Sequence, residues 1–124
     1  MSFALVCLGG AVGTGARYLL GGLALRWLGA DFPYGTLLVN VIGSFLIGVV
    51  QELAGAAALP ESARVVLAVG VLGGFTTYSA FAHESLRLAA TGAWGGALLY
   101  VGLTTVVCFG ACLLGIGLAR LVAP

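Results

Sequence analysis

The segment Gly73-Gly-Phe-Thr-Thr-Tyr-Ser79 lies in a long apolar stretch of the sequence and could bind an ion. Two adjacent glycines followed by two threonines continue a helix poorly, so we predict a broken helix here. A break inside a membrane frees backbone carbonyls, which are tolerated where they line a cavity or coordinate an ion. A kink packed against a neighbouring helix is the alternative interpretation.

Polar and aromatic side chains elsewhere in the apolar stretches could contact an anion. The Asn40 amide offers donors, although an interhelical hydrogen bond would use them equally well. Phe75, Tyr78 and Phe81 recur every three residues. The electropositive edges of such rings can face an anion, and an aromatic packing stripe is the alternative.

A polar stripe of Tyr100, Thr104 and Cys108 has one residue per helical turn, so it could line a path along one helix face. Cys108 and Cys112 are also one turn apart, but no His or acid lies near them in sequence. We interpret these thiols and Cys7 as small apolar residues rather than metal ligands.

Charged residues near the ends of the apolar stretches give weaker indications of a functional role. Arg17 could reach the lipid headgroups, or it could set a positive potential that attracts anions. Glu84 follows His83 at the end of the third stretch, where solvated side chains are the norm. The sequence has no Ser-His-acid, Cys-His or paired-carboxylate arrangement, so we predict that the protein is not an enzyme.

Four apolar stretches must position these residues. Of the 124 residues, 61% are hydrophobic and 7% are charged, whereas soluble domains carry about 25% charged residues. A membrane helix needs about 20 mainly apolar residues, and we predict spans at residues 3–25, 35–58, 63–81 and 94–122. The predicted fold is a single all-α membrane domain with a broken third helix. A net charge of +1 without a basic run argues against nucleic acid as a partner.

Glycines four residues apart predict close helix contacts, because small residues let membrane helices approach each other. The pairs are Gly9 and Gly13, Gly70 and Gly74, and Gly92 and Gly96.

The arginines specify almost no orientation in the membrane. Arg64 and Arg120 lie on one predicted side, and Arg26 and Arg87 lie on the other, with Arg17 if it reaches the surface. One interpretation is that the chain has too few charges to indicate its orientation. The other is dual topology, in which copies insert both ways and pair as an antiparallel homodimer. Four short helices alone leave little room for a path, which favours the homodimer.

Three segments together resemble the CrcB/Fluc fluoride-channel family. They are Gly13-Thr-Gly-Ala-Arg-Tyr18, Gly35-Thr-Leu-Leu-Val-Asn-Val-Ile-Gly-Ser44, and Gly73-Gly-Phe-Thr-Thr-Tyr-Ser-Ala-Phe81 with Glu84. The resemblance implies a passive channel that exports fluoride from the cytoplasm across the bacterial inner membrane. It also implies an antiparallel, dual-topology homodimer in the bilayer, with two anion pathways and one central structural sodium ion.

Carried over by position, the resemblance assigns roles to individual residues. The sodium ligands would be the backbone carbonyls of Gly73 and Thr76, and Arg17 would lie near the vestibule. The fluoride pathway would comprise Asn40, Tyr78, Ser79, Phe81, Glu84, Tyr100, Thr104 and Cys108. The sequence departs from the family at two of these positions, because Tyr78 replaces a usual Phe and Cys108 replaces a usual Ser or Thr.

A proton-coupled exporter similar to the small multidrug resistance proteins is the alternative function, because those proteins are also short four-span dimers. Such an exporter needs a carboxylate within the membrane, and all four acids lie at or near predicted span ends: Asp31, Glu52, Glu61 and Glu84. A helical scaffold that transports nothing is a third possibility, and it predicts no requirement for the broken third helix.

Overall fold

The chain folds into long helices joined by short turns. The computed structural model describes residues 2–124, which contain no β-strand. Four helical segments are long and apolar enough to cross a membrane: Ser2–Leu28, Tyr34–Gly55, Glu61–Ala90 and Trp94–Val122. The prediction of an all-α chain with four helices able to span a membrane is therefore confirmed.

The first, second and fourth of these segments are continuous helices, which we call α1 (Ser2–Leu28), α2 (Tyr34–Gly55) and α5 (Trp94–Val122). The third contains two helices. α3 covers residues 61–75 and changes to π-helical hydrogen bonding over Val66–Val71, and α4 is Tyr78–Ala90. α4 thus continues beyond residue 81, where the sequence predicted the third span to end.

The predicted break in the third span is present at the two threonines between α3 and α4. Thr76 and Thr77 have extended backbone conformations, with ψ angles of 157° and 116°. Gly73 and Gly74 remain helical, so the break lies after the glycines and not at them. The Thr77 hydroxyl accepts a hydrogen bond of 3.3 Å from the Ala80 N–H, which begins α4 with a side-chain cap.

Glycines bring α1 and α3 into backbone contact. A side chain at Gly13 would overlap the Val71 carbonyl, and one at Gly74 would overlap the Gly10 carbonyl. The close contacts predicted for the first two glycine pairs are therefore confirmed. The prediction for Gly92 and Gly96 is wrong, because Gly92 forms the turn after α4 with a φ of 85°, and a side chain at Gly96 would meet only the Ala93 side chain among residues 2–124.

The second helix lies against the fifth, again through glycines. A side chain at Gly48 would overlap the Cys112 carbonyl, and one at Gly115 would overlap the Phe45 carbonyl. This pairing of α2 with α5 places their polar faces beside the break between α3 and α4.

Ion pairs form at one end of the bundle. Glu61 pairs with Arg64, and Glu52 pairs with Arg120 at 2.9 Å. Both pairs lie on the side to which the sequence assigned Arg64 and Arg120. Arg87 lies at the opposite end, beside the turn between α1 and α2.

Candidate functional site

A cavity of about 390 Å³ lies beside the break, and we call it the break cavity. Residues of α2, α3, α4 and α5 line it together with the two threonines of the break. Seven of the residues to which the sequence assigned a role are in its wall: Asn40, Gly73, Thr76, Tyr78, Phe81, Thr104 and Cys108. Residues from every part of the chain except α1 thus meet at one place.

The Asn40 side chain binds the backbone of the break at two points. Its Nδ2 donates to the Thr77 carbonyl at 3.0 Å, and its Oδ1 accepts from the Thr77 N–H at 2.9 Å. The amide therefore replaces helical hydrogen bonds that the extended conformation of Thr77 cannot make. One of its two N–H donors remains beyond those that bind Thr77.

The break releases the carbonyl oxygens of Gly73 and Thr76 from their helical donors. In a continuous helix the Thr77 N–H would bind the Gly73 carbonyl, but it donates to Asn40 instead. The Ala80 N–H would bind the Thr76 carbonyl, but it donates to the Thr77 hydroxyl. Two backbone acceptors on the wall of the break cavity are left without these partners.

A buried hydroxyl of α5 also lines the break cavity without a partner. Thr104 is 7% exposed, and its Oγ1 has no hydrogen-bond partner among residues 2–124. The neighbouring Thr105 differs, because its hydroxyl donates to the Val101 carbonyl at 2.8 Å. Cys108 lies one turn beyond Thr104 and is half-buried. Thr104 is therefore the member of the polar stripe with a hydroxyl available to a ligand.

Aromatic rings form a row that starts at the break cavity. Tyr78 and Phe81 lie 5.7 Å apart between ring centroids, Phe81 and Tyr100 lie 5.2 Å apart, and all three rings meet at steep angles. The Phe32 ring meets Tyr100 edge to face at 5.3 Å. Phe75 does not belong to this row, because it is buried and lies outside the cavity wall. The predicted three-residue stripe is thus divided by the break.

The Glu84 carboxylate accepts hydrogen bonds from two hydroxyl groups. Tyr100 donates to Oε2 at 2.8 Å, and Thr36 donates to Oε1 at 2.9 Å. Glu84 lies outside the break cavity, in a second cavity of about 320 Å³ at the end of the bundle, with Arg87. Tyr100 contacts Phe81 on one side and Glu84 on the other, so it connects the surroundings of the two cavities.

Ser79 and Arg17, like Tyr100, line neither of these two cavities. Ser79 is exposed, and its hydroxyl is 3.3 Å from the Thr77 hydroxyl. Arg17 is half-buried against α3, and its Nε donates to the Gly74 carbonyl at 3.1 Å. Arg17 therefore contacts the helix that ends at the break.

Comparison with known proteins identifies the family of this chain. The family model described as CrcB-like protein, Camphor Resistance (CrcB), matches residues 4–116. The chain belongs to the CrcB family. The resemblance predicted from the three sequence segments is confirmed.

Curated relatives match nearly the whole chain. A protein of Anaeromyxobacter sp. strain K is 53% identical over 105 residues, which cover 84% of this chain and 83% of the relative. A Thermus thermophilus protein is 50% identical over 119 residues, which cover 96% of this chain and 90% of the relative. A Magnetococcus marinus protein is 42% identical over 123 residues, covering 98% and 100%.

Each of these relatives is named fluoride-specific ion channel FluC. None of the three is named a proton-coupled exporter, so the alternative function is not favoured. Family membership and four helices able to span a membrane make this chain a multi-pass membrane protein. The prediction that it is not an enzyme is confirmed by the same membership.

Sequence reasoning missed three residues that complete these arrangements: Thr36, Thr77 and Phe32. Thr36 lies four residues before Asn40 and therefore on the same face of α2, which is a signal that could have found it. The Thr77 contact with Asn40 and the ring contact of Phe32 join distant parts of the chain, and no local pattern indicates them.

Proposed function

We propose that the protein is a fluoride-selective ion channel. The proposal rests mainly on the break cavity, whose wall combines neutral hydrogen-bond donors and aromatic ring edges from four helices. Family membership and the names of the relatives point in the same direction. A cavity with donors but no cation in its wall suits an anion that must bind and then leave.

Fluoride is strongly hydrated, so its path must replace water donors. The buried Thr104 hydroxyl has no hydrogen-bond partner in the described part of the chain, and the Asn40 amide has a second N–H beyond the one that binds Thr77. Edges of the Tyr78 and Phe81 rings supply weaker positive potential along the same wall. Several modest contacts of this kind allow conduction, whereas one strong site would trap the ion.

The direction of transport that we propose is export from the cytoplasm. A membrane potential that is negative inside drives an anion outward by about 2.3 kcal/mol per charge per 100 mV. The sequence has no phosphate-binding motif, and a passive path needs none. We propose the bacterial inner membrane as the location, because outer-membrane proteins are β-barrels whereas this chain is helical.

We further propose that two copies pair as an antiparallel, dual-topology homodimer. The break interrupts the middle of the third span, and Gly73, Tyr78 and Ser79 are exposed there in the single chain. Irregular backbone facing lipid is not tolerated at that depth, so another surface must cover it. The near-even distribution of arginines supports insertion in both directions.

A structural sodium ion at the dimer centre is part of this proposal. The carbonyl oxygens of Gly73 and Thr76 lack their helical donors, and carbonyl oxygen is the ligand type that hard cations prefer. Two such oxygens from each copy would hold the ion between the copies. The bound cation would supply positive charge that offsets the exposed carbonyl dipoles and ties the copies together.

Fluoride efflux from liposomes tests the function. Purified protein is reconstituted in vesicles loaded with potassium fluoride, with sodium present on both sides, and efflux is followed with a fluoride electrode after a potassium ionophore is added. We expect rapid fluoride efflux and little chloride efflux from matched vesicles. Absence of fluoride efflux, or equal chloride efflux, would reject the proposed function.

Separate measurements test the assembly and the ion. Cysteine labelling from one side of intact cells at each terminus should modify about half of the chains under dual topology. Labelling of all chains or of none at a given terminus would refute mixed insertion. Replacing sodium with a large organic cation on both sides should reduce flux, and an unchanged rate would remove sodium from the proposal.

A further inference from the structure

Arg17 of α1 is bound to the end of α3. Its Nε donates to the Gly74 carbonyl at 3.1 Å, and its side chain is half-buried. The Thr14 hydroxyl, one turn earlier on α1, lies 3.5 Å from the same oxygen. Gly74 is in the last turn of α3, which ends at Phe75. Two side chains of α1 therefore approach one backbone oxygen beside the break.

The Gly74 carbonyl needs a donor because the helix stops. In a continuous helix its donor would be the Tyr78 N–H, but Tyr78 begins α4 on the other side of the break. The last carbonyls of a helix also carry partial negative charge, so a cationic side chain is favourable there. Arg17 provides both the hydrogen bond and the charge.

Close packing of α1 and α3 makes this contact possible. Gly74 packs against the Gly10 backbone, and Gly13 packs against the Val71 carbonyl. With no side chains between the two backbones, Arg17 reaches the Gly74 carbonyl. The glycines of both helices thus serve an arginine contact as well as a helix contact.

We propose that Arg17 is a positioning residue that holds the end of α3 and keeps the third span broken. By fixing Gly74, it fixes the neighbouring carbonyls of Gly73 and Thr76 in the wall of the break cavity. The consequence for cation binding rests on the proposed function, whereas the contact that holds the backbone does not. A role only in attracting anions to the channel entrance is the competing explanation.

Substitutions can separate the hydrogen bond from the charge. Arg17→Gln keeps a nitrogen donor at the same chain position as Nε and removes the charge. Arg17→Met has a side chain as long as that of Gln and removes both the hydrogen-bond donor and the charge. Arg17→Lys keeps the charge but places the nitrogen one atom further along the side chain than Nε. Arg26→Gln is the matched control, because Arg26 is in the last turn of the same helix and its side chain makes no hydrogen bond among residues 2–124.

Hydrogen–deuterium exchange of the variants in lipid nanodiscs tests the proposal without requiring transport. We expect Arg17→Met to accelerate exchange of the backbone amides at residues 76–80 by about tenfold, because a backbone contact is lost. Arg17→Gln should stay within about threefold of the wild type. Exchange in α5 and in Arg26→Gln should not change. Unchanged exchange at 76–80 in Arg17→Met would overturn the proposal.

Sodium titration of fluoride flux gives the second readout. The sodium concentration for half-maximal flux should rise by about fivefold or more in Arg17→Met. In Arg17→Gln, which keeps the hydrogen-bond donor, this concentration should stay close to that of the wild type. If fluoride flux fell equally in Arg17→Met and Arg17→Gln, and if the difference from the wild type disappeared at high ionic strength, Arg17 would act by attracting anions. That result would overturn the proposal. Should Arg17→Met not fold, Arg17→Lys replaces it, with accelerated exchange expected and wild-type exchange refuting the proposal. Absent flux in the wild type would reject the channel function while the exchange result still decided the role of Arg17.

Discussion

Asn40 and Thr77 form a reciprocal pair in which one side-chain amide binds both backbone groups of one residue. The two hydrogen bonds measure 3.0 Å and 2.9 Å, and they join α2 to the break between α3 and α4. A break inside a membrane would otherwise leave these backbone groups without partners. The pair therefore lets an extended segment persist in the middle of the third span.

Asn40→Leu should destabilise the break, because Leu fills a similar volume and makes neither hydrogen bond. We expect the free energy of unfolding to fall by about 1–3 kcal/mol, measured by thermal denaturation in detergent micelles. Fluoride flux should fall with it. The control is Ser44→Ala, one turn further along α2 on the same cavity wall, because the Ser44 side chain makes no hydrogen bond among residues 2–124. Wild-type stability in Asn40→Leu would contradict this account.

Thr104→Val should separate conduction from stability. The Thr104 hydroxyl is buried and has no hydrogen-bond partner within residues 2–124, so removing it costs that part of the fold no hydrogen bond. A hydrogen bond to a charged ligand would be lost, and we expect fluoride flux to fall about 10- to 100-fold while the unfolding temperature stays constant or rises. Thr105→Val is the control, since that hydroxyl already donates to Val101. Full flux in Thr104→Val would remove this hydroxyl from the path.

Gly13→Ala should destabilise the protein through a steric clash between α1 and α3. The added methyl group would overlap the Val71 carbonyl, which belongs to a backbone and cannot move aside. We expect a loss of about 1–3 kcal/mol in unfolding free energy. Gly15→Ala is a matched control two residues away, because nothing lies within 4 Å of its new methyl group. That variant should gain about 0.5–1 kcal/mol from helix propensity. Equal stability of the two variants would refute the packing argument.

The run of two glycines followed by two threonines was enough to predict a break, although neither pair ends a helix by itself: Gly9 and Gly10 lie inside α1, and Thr104 and Thr105 lie inside α5. Its position after Gly74 was not predictable, since it depends on the contact of Gly74 with α1 and on the cap that Thr77 provides. The contacts of Asn40 and Arg17 join residues 37 and 57 positions apart. Such pairings follow from helix packing, which the sequence does not display locally.

The glycine pairs show the same limit. Gly9 and Gly13 lie within one helix, so both can face α3. Gly92 and Gly96 have the same spacing, but Gly92 has a positive φ in the turn before α5. Four-residue spacing predicts a common face only where the helix includes both residues, and the helix boundary was not evident from the spacing.

A double-mutant cycle should detect the hydrogen bond between Tyr100 and Glu84. Tyr100→Phe and Glu84→Gln each disturb the 2.8 Å contact, and together they should show a coupling energy of about 0.5–3 kcal/mol in unfolding free energy. Tyr34→Phe combined with Glu84→Gln is the control pair. Tyr34 lines the second cavity together with Glu84 but makes no hydrogen bond to it. The effects of Tyr34→Phe and Glu84→Gln on the unfolding free energy should therefore add. Additivity in the Tyr100 pair would show that its hydroxyl does not hold the carboxylate.

Phe81→Ile should reduce fluoride flux while leaving the assembly intact. Phe81 contacts the rings of Tyr78 and Tyr100 and lines the break cavity. Isoleucine keeps an apolar surface but has no electropositive edge to face an anion, so we expect about a tenfold loss of flux in the liposome assay. Stability should fall by only about 1–2 kcal/mol, from two lost ring contacts, and the elution volume in size-exclusion chromatography should not change. Phe3→Ile, at a position 82% exposed on α1, is the control and should conduct normally. If Phe81→Ile conducted as fast as this control, the ring edge would have no part in permeation.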